Sequence, residues 1–232
     1  TGSDAVASPI RVFVGFESAA TIEQRVGLAM AELRRMDAFD RSVLLIQAPA
    51  GTGYANPTPL DVLEVLTRGD CASVAVGYGL LPSFLSLNKV DIASRTQKLL
   101  LDSIHAELAG RPQRPRLLLY GESLGAKVQQ AAIAAGPVDL DHYGIDAALY
   151  VGTPGGVVAD TFHALCSGES IVIDRPALIP ADLAAPAIGS SDVRRPRVWF
   201  LEHDGDPVVR FRPDLLWSRP AWLPTDGTRG RN

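Results

Sequence analysis

Residues Arg116–Ala135 read RLLLYGESLGAKVQQAAIAA. The apolar run Arg116–Tyr120 has the composition of a strand, and Ala126–Ala135 has the composition of a helix. Only Gly121-Glu122-Ser123-Leu124-Gly125 separates them, which fits the G-x-S-x-G pattern of a serine carried on a sharp strand-to-helix turn. Small residues on both sides let the strand and helix close in around a strained serine. The turn then lifts the Ser123 hydroxyl into the open and sets the positive end of the following helix beneath it. In a chain with 21 glycines the pentapeptide alone is a weak signal. Its position between a strand and a helix is what makes it informative; the competing reading is a glycine-rich turn with an inert serine.

The same alternation runs outward in both directions. Strands are expected at Arg11–Phe16, Ser42–Gln47, Cys71–Gly77, Ala147–Val151 and Val198–Leu201. Between the first two, Thr21 and Gln24 have capping-box spacing, and Ile22, Val26, Met30 and Leu33 recur at helical period. Leu60–Thr67 reads as a short helix stopped by Gly69, and Val90–Leu108 as a long one. Near-continuous Val/Leu strands alternating with helices imply an α/β fold: a mostly parallel sheet with helices on both faces. In such sheets ligands bind beyond the carboxyl ends of the strands. The whole chain, 1–232, reads as one domain. Residues Gly155–Arg195 are too long for a plain connection and are expected to form a lid or cap over that edge, the alternative being a surface excursion.

Composition narrows the function classes. The 232 residues are 47% hydrophobic and 21% charged, with 22 Lys+Arg against 26 Asp+Glu. That is ample for a core and offers no basic excess for nucleic acid. No apolar run reaches the roughly 18 residues of a membrane span, and TGSDAVAS has no charged or apolar leader character. Cys71 and Cys166 are too few for a disulfide framework or a cysteine zinc site, and Cys71 reads as a small buried hydrophobe. No metal or other cofactor is expected.

A serine that transfers an acyl group needs donors aimed at the developing oxyanion. The Leu124 amide is one, and Gly51-Thr52-Gly53, after the second strand, is the candidate source of the other. The stretch Gly51–Pro59 also reads as an ordinary turn-rich connection. The chain order nucleophile, acid, base puts the acid after the last strand, in Glu202-His203-Asp204-Gly205-Asp206. Asp206 has the expected place and Asp204 is the runner-up; either reads equally as a turn aspartate. Four histidines are available as base. His105 reads as a helix packing residue, and His142 and His163 as surface or structural. His203 shares the Asp206 loop, but its strand should stand two places from the Ser123 strand. That is roughly 10 Å at 4.8 Å per step, a long reach for one imidazole.

The segments RVFVGFESAATIEQRVGLAMAELRRMDAFDRSVLLIQAPAGTGYANP, YGLLPSFLSL, LYGESLG, YVGTPGG and HDGDPVVRFRPDLLWSRPAWL together resemble an actinobacterial α/β-hydrolase catalytic-domain family. The resemblance covers most of the chain and is weakest in Val157–Arg197. It implies an α/β-hydrolase fold with Ser123 as nucleophile and Asp206 as acid. It also implies an N-terminal membrane region that this sequence does not contain, and a further strand with a Gly-His segment after the stretch matching PDLL…RPAWL. Three sources for the base stay open: residues following Asn232, His203, or loss of the histidine in this relative. The expectation is therefore a serine hydrolase of carboxylic esters, lipid or acyl-chain esters included, with Ser123, Asp206 and His203 as catalytic candidates and Leu124, Gly51, Thr52 and Gly53 as oxyanion candidates. An acyltransferase on the same site and a non-catalytic binding domain without a competent base are the alternatives. Leu80, Leu81, Phe84 and Leu85, within Tyr78–Leu87, read either as an acyl pocket or as ordinary packing. The expected partner is a small-molecule or lipid ester, with membrane association through the absent region. Oligomeric state and compartment are not legible.

Overall fold

A computed structural model describes residues 6–79, 90–134, 140–166, 170–173, 196–203, 206 and 208–209. Its strands are β1 (Ile10–Val14), β2 (Val43–Ala48), β3 (Cys71–Val76), β4 (Arg116–Glu122), β5 (Ile145–Val151), β6 (Ser170–Ile173) and β7 (Val198–Leu201). Its helices are α1 (Ile22–Arg35), α2 (Thr58–Thr67), α3 (Val90–Leu108), α4 (Leu124–Ala134) and α5 (Val157–Leu165). The strands form one sheet in the order β1-β3-β2-β4-β5-β7-β6, and every described pairing is parallel. Parallel strands need crossovers, which is why helices alternate with them in the chain.

Local signals account for most boundaries. Thr21 caps α1 through the Gln24 amide, and the Gln24 side chain returns to the Thr21 amide, completing the capping box. β2 and β3 are buried at every position, Gln47 and Ser73 included, as expected of largely apolar central strands. The first expected strand stops at Val14 because Phe16–Ser18 turn into a short 3₁₀ segment. The described part of 155–195 supplies α5 and the edge strand β6, which pairs with β7. This much of the expected lid belongs to the sheet and its helix layer; residues 174–195 lie outside the described residues.

Side-chain alternation sorts the sheet into two faces. Leu44, Ile46, Ala72, Val74, Leu117, Leu119, Tyr150, Val198 and Phe200 face α1, α3, α4 and α5 and form the main core. Complete burial of a large apolar side chain contributes about 1.5–3 kcal/mol, so this layer carries most of the stabilisation. On the other face α2 packs on β3, and it walls an apolar groove that Leu45, Leu118, Ala147, Leu149 and Trp199 also line. Arg11 on β1 ties that helix down, donating to Glu64 at 2.5 and 2.8 Å and to Asp61 at 2.6 Å. Helices thus stand on both faces, four to one among the described residues. Cys71 is buried as expected, and burial pushes its thiol pKa up.

Candidate active site

β4 runs two residues further than its apolar core suggests, through Gly121 and Glu122, and α4 starts at Leu124. Ser123 is the single residue between them and has φ +53°. That left-handed conformation costs an ordinary L-residue about 1–2 kcal/mol. The flanking glycines have steric reasons. A Cβ on Gly121 would lie 2.6 Å from the Ala126 Cα, and one on Gly125 would lie 2.3 Å from the Ala48 carbonyl oxygen. The first contact seats α4 on its own strand, and the second seats it on the end of β2. The backbone of Ser123 is held on both sides: its N–H donates to the Val151 carbonyl at 2.9 Å, and its carbonyl accepts from the Lys127 N–H at 3.3 Å. Two fully buried glutamines extend that grip. Gln129 Nε2 donates to the Ile46 carbonyl at 3.1 Å, and Gln130 Nε2 donates to Thr153 Oγ1 at 3.0 Å. Ser123 itself is partly exposed, and among the described residues its Oγ donates to no acceptor.

Beneath the turn, Leu124 is buried with Tyr78, Ala93 and Val128 in a small apolar cluster. As the first helical residue its N–H has no intrahelical acceptor. The loop from Pro49 to Pro57 runs alongside. Tyr78 donates its hydroxyl to the Pro49 carbonyl, and burial raises the Tyr78 pKa well above the ordinary phenol value. Gly53 has φ +81°, and its amide donates to the Ala50 carbonyl at 2.8 Å, closing a turn. That amide is therefore committed, which removes Gly53 as an anion donor in this conformation. The Gly51 and Thr52 amides, by contrast, donate to no acceptor among the described residues.

Asp206 lies on the opposite flank of β5. The strand order β4-β5-β7 puts its loop two strands from Ser123, as expected. Its N–H donates to the His203 carbonyl at 3.0 Å, and its Oδ1 accepts the Val208 amide at 2.8 Å. The turn-aspartate reading therefore holds for one carboxylate oxygen. The other, Oδ2, lies 3.5 Å from where a Cβ on Gly152 would stand. Gly152, with φ +57°, follows the Val151 whose carbonyl holds the Ser123 amide. Ser123 and Asp206 therefore bracket the tip of β5, and a glycine there keeps the space beside the carboxylate open.

His203 is exposed on the same loop as Asp206. The other histidines are engaged elsewhere. His105 stacks on His142 with ring centroids 4.8 Å apart, and both rings meet Tyr143 edge-on. His163, on α5, stacks on Phe200 at 3.8 Å, and its Nε2 is 3.7 Å from Glu202 Oε1. Asp204 and the four apolar candidates Leu80, Leu81, Phe84 and Leu85 lie outside the described residues. No group of three metal-ligating side chains occurs among the described residues.

One contact had no sequence signal. Glu122, the residue before Ser123, points to the α2 side. Its Oε2 accepts from Asn56 Nδ2 at 2.8 Å and from the Tyr120 hydroxyl at 3.2 Å. Burial, then the neighbouring Glu122 charge, pushes the Tyr120 pKa well above its ordinary value.

Several solved structures are similar to this chain. The catalytic core domain of acetyl xylan esterase from Trichoderma reesei is 15% identical, with 72% of this chain and 85% of that chain covered and a TM-score of 0.45. A Trichoderma reesei cutinase in complex with a phosphonate inhibitor is 15% identical over 82% and 76% of the two chains, with a TM-score of 0.45. A cutinase-like protein from Cryptococcus sp. is 14% identical over 74% and 80%, with a TM-score of 0.43. No curated protein matches the sequence. Residues 10–169 and 174–232, nearly the whole chain, match the Alpha/beta-hydrolase family. With its parallel sheet and its strand–serine–helix junction, the chain belongs to the α/β-hydrolase family.

Proposed function

We propose that the protein is a serine hydrolase of carboxylic esters, with Ser123 as its nucleophile. The observation that carries this reading is the left-handed φ of +53° at Ser123, held between a strand and a helix by two glycines that admit no side chain. Strained backbone at a partly exposed hydroxyl is costly to maintain, and such strain concentrates at functional sites. Ser123 Oγ attacks the ester carbonyl carbon as a histidine takes its proton. The carbonyl π electrons move onto oxygen, and the tetrahedral anion accepts from the Leu124 amide and from an amide of Gly51 or Thr52. Collapse expels the alcohol, which takes the proton from the histidine. Water repeats the sequence on the acyl-serine and releases the acid. Losing one oxyanion donor in comparable sites costs about 3–4 kcal/mol of transition-state stabilisation.

Asp206 is the orienting acid in this reading, because its Oδ2 faces the tip of β5 while Oδ1 is bound by the Val208 amide. His203, which shares the Asp206 loop, is the candidate histidine within this sequence. His203→Ala discriminates: loss of turnover assigns the base to His203, and retained turnover assigns it elsewhere. The substrate is a small-molecule or lipid ester, and an alcohol in place of water would make the same site an acyltransferase. A fluorophosphonate probe tests the proposal directly. Stoichiometric labelling at Ser123, abolished in Ser123→Ala, is expected. An intact protein that takes up no label would instead be a binding domain on a hydrolase scaffold.

A further inference from the structure

The carboxylate of Glu122 has no part in the chemistry above, yet it joins the nucleophile strand to the loop that carries the free amides. We propose that Glu122 is a positioning residue, which acts through Asn56 to hold the Gly51–Thr52 amides against the Ser123 turn. This rests on the hydrolase reading and deepens it.

The contacts are specific at both ends. Glu122 Oε2 accepts Asn56 Nδ2 at 2.8 Å, linking residues 66 apart in sequence. Asn56 is held at two further atoms: its carbonyl accepts from Gln47 Nε2 at 3.1 Å, and its Oδ1 accepts the Thr58 amide at 3.0 Å, at the start of α2. Gln47 is itself buried on β2. Asn56 is thereby pinned to β2, to α2 and to the residue preceding the nucleophile. The near end of the loop is fixed independently, by the close approach of the Ala48 and Pro49 carbonyls to Gly125 and by the Tyr78 hydroxyl on the Pro49 carbonyl. Both ends of the loop are thus referred to the two residues that flank the Ser123–Leu124 pair. Between them stand the unengaged Gly51 and Thr52 amides, with the Gly53 amide folded back to Ala50.

A carboxylate suits this task better than a neutral acceptor. Its bond to the Asn56 amide is charge-assisted and roughly twice as strong as a neutral one. It lines an apolar groove together with Leu63, Leu118, Leu149 and Val151, where a polar group without partners is costly. The Tyr120 hydroxyl completes its coordination from the same strand. An error of about 1 Å in a donor's position is enough to lose two orders of magnitude in rate, so the link need only prevent small displacements to matter.

The test uses the full chain and four variants: Glu122→Ala, Glu122→Gln, Asn56→Ala and the double Glu122→Ala/Asn56→Ala. With a soluble p-nitrophenyl ester, Glu122→Ala and Asn56→Ala are each expected to lose about 10- to 100-fold in kcat with KM within twofold, somewhat less than outright removal of an oxyanion donor. The double variant should be no worse than the more damaged single one, because both remove the same link. Glu122→Gln keeps an acceptor and should recover most of the rate. Hydrogen exchange of the peptide spanning residues 49–57 should quicken in both alanine variants, whatever the activity. Wild-type kcat together with unchanged exchange in those variants overturns the positioning role, as does a double variant whose losses multiply. Failure of wild type to take the fluorophosphonate label would overturn the hydrolase reading instead, with the exchange result still deciding whether Glu122 holds the loop.

Discussion

Replacing Ser123 by glycine should stabilise the fold while abolishing any chemistry. The backbone at this position is held by a tertiary bond from its N–H to Val151 and by the first bond of α4, from the Lys127 N–H to its carbonyl, and neither involves the side chain. Ser123→Ala therefore keeps the φ of +53° and keeps the Cβ that clashes there. Its stability should stay within about 0.5 kcal/mol of wild type, the usual range for a substitution that touches no packed group. Ser123→Gly removes the Cβ and with it about 1–2 kcal/mol of left-handed strain. Against this stands the greater entropy that glycine loses on folding, about 0.5–1 kcal/mol. The difference leaves Ser123→Gly more stable than Ser123→Ala by up to about 1.5 kcal/mol, or up to roughly 6 °C in Tm for a domain of this size. Urea unfolding followed by tryptophan fluorescence resolves this, provided the m-values agree. A glycine variant about 1 kcal/mol less stable than the alanine variant is the normal result for glycine inside a regular element. It would mean that the turn is unstrained, and the main support for a nucleophile at this position would be gone.

Other consequences are separable. Gly125→Ala drives a Cβ to 2.3 Å from the Ala48 carbonyl oxygen, so it should destabilise by about 2–3 kcal/mol despite alanine's better helix propensity. Gly27→Ala, mid-helix with nothing within 4 Å, should gain up to about 1 kcal/mol; equal midpoints for the two variants in urea would refute the packing argument. Asp206→Asn keeps the Val208 contact but offers the histidine the wrong partner, and kcat should fall by about 10⁴; a loss under tenfold would move the acid elsewhere. The Arg34 guanidinium, then Arg111, hold the Glu107 carboxyl below its usual range against the opposing effect of burial. The lowered pKa makes this contribution complete above about pH 4.5 and progressively lost below it. Glu107→Gln should flatten that part of the stability–pH curve by under about 1 kcal/mol, and parallel curves for the two proteins would contradict it.

The features legible in the sequence were those set by neighbouring residues. Thr21 and Gln24 announce the start of α1 because a capping box is closed within one turn. The apolar runs of β2 and β3 announce central strands because both of their faces are covered. Ser123 was legible because the two glycines that the junction needs stand two residues to either side. What was missed depends on remote partners. β6 is a four-residue strand, Ser170–Ile173, whose identity comes from pairing with β7 some thirty residues on, and its short SIVI run inside an Ala- and Pro-rich tract gave little local signal. The expected start of α4 at Ala126 was two residues late, because Leu124 and Gly125 form a first turn whose amides bond to nothing in the helix. The commitment of the Gly53 amide to Ala50 is a property of one loop conformation, which composition does not encode. Glu122 gave no signal at all, since Asn56, the partner that ties it to the loop, is separated from it by 66 residues.

A left-handed serine is not a local preference, so something distant must impose it. The bonds that do so radiate from α4 to both neighbouring strands: Gln129 reaches the Ile46 carbonyl on β2, and Gln130 reaches Thr153 beyond β5. Both side chains are fully buried, and among the described residues each is bonded through Nε2 alone, its Oε1 having no partner, so losing that one bond would leave the amide wholly unpaired. With α4 anchored on either flank, the helix cannot retreat along its axis to let Ser123 relax toward an ordinary φ. Gly121 and Gly125 act in the same sense, by allowing the helix to come so close that no looser turn fits. The strain of about 1–2 kcal/mol at residue 123 is small beside these opposing contacts. It follows that loosening α4 should change the serine before it unfolds the protein. Gln129→Leu and Gln130→Leu are therefore expected to slow fluorophosphonate labelling of Ser123 under conditions where the far-ultraviolet circular dichroism still reports a native fold. Labelling rates that fall only in step with global unfolding would show that the turn holds itself, and that the two glutamines serve the core alone.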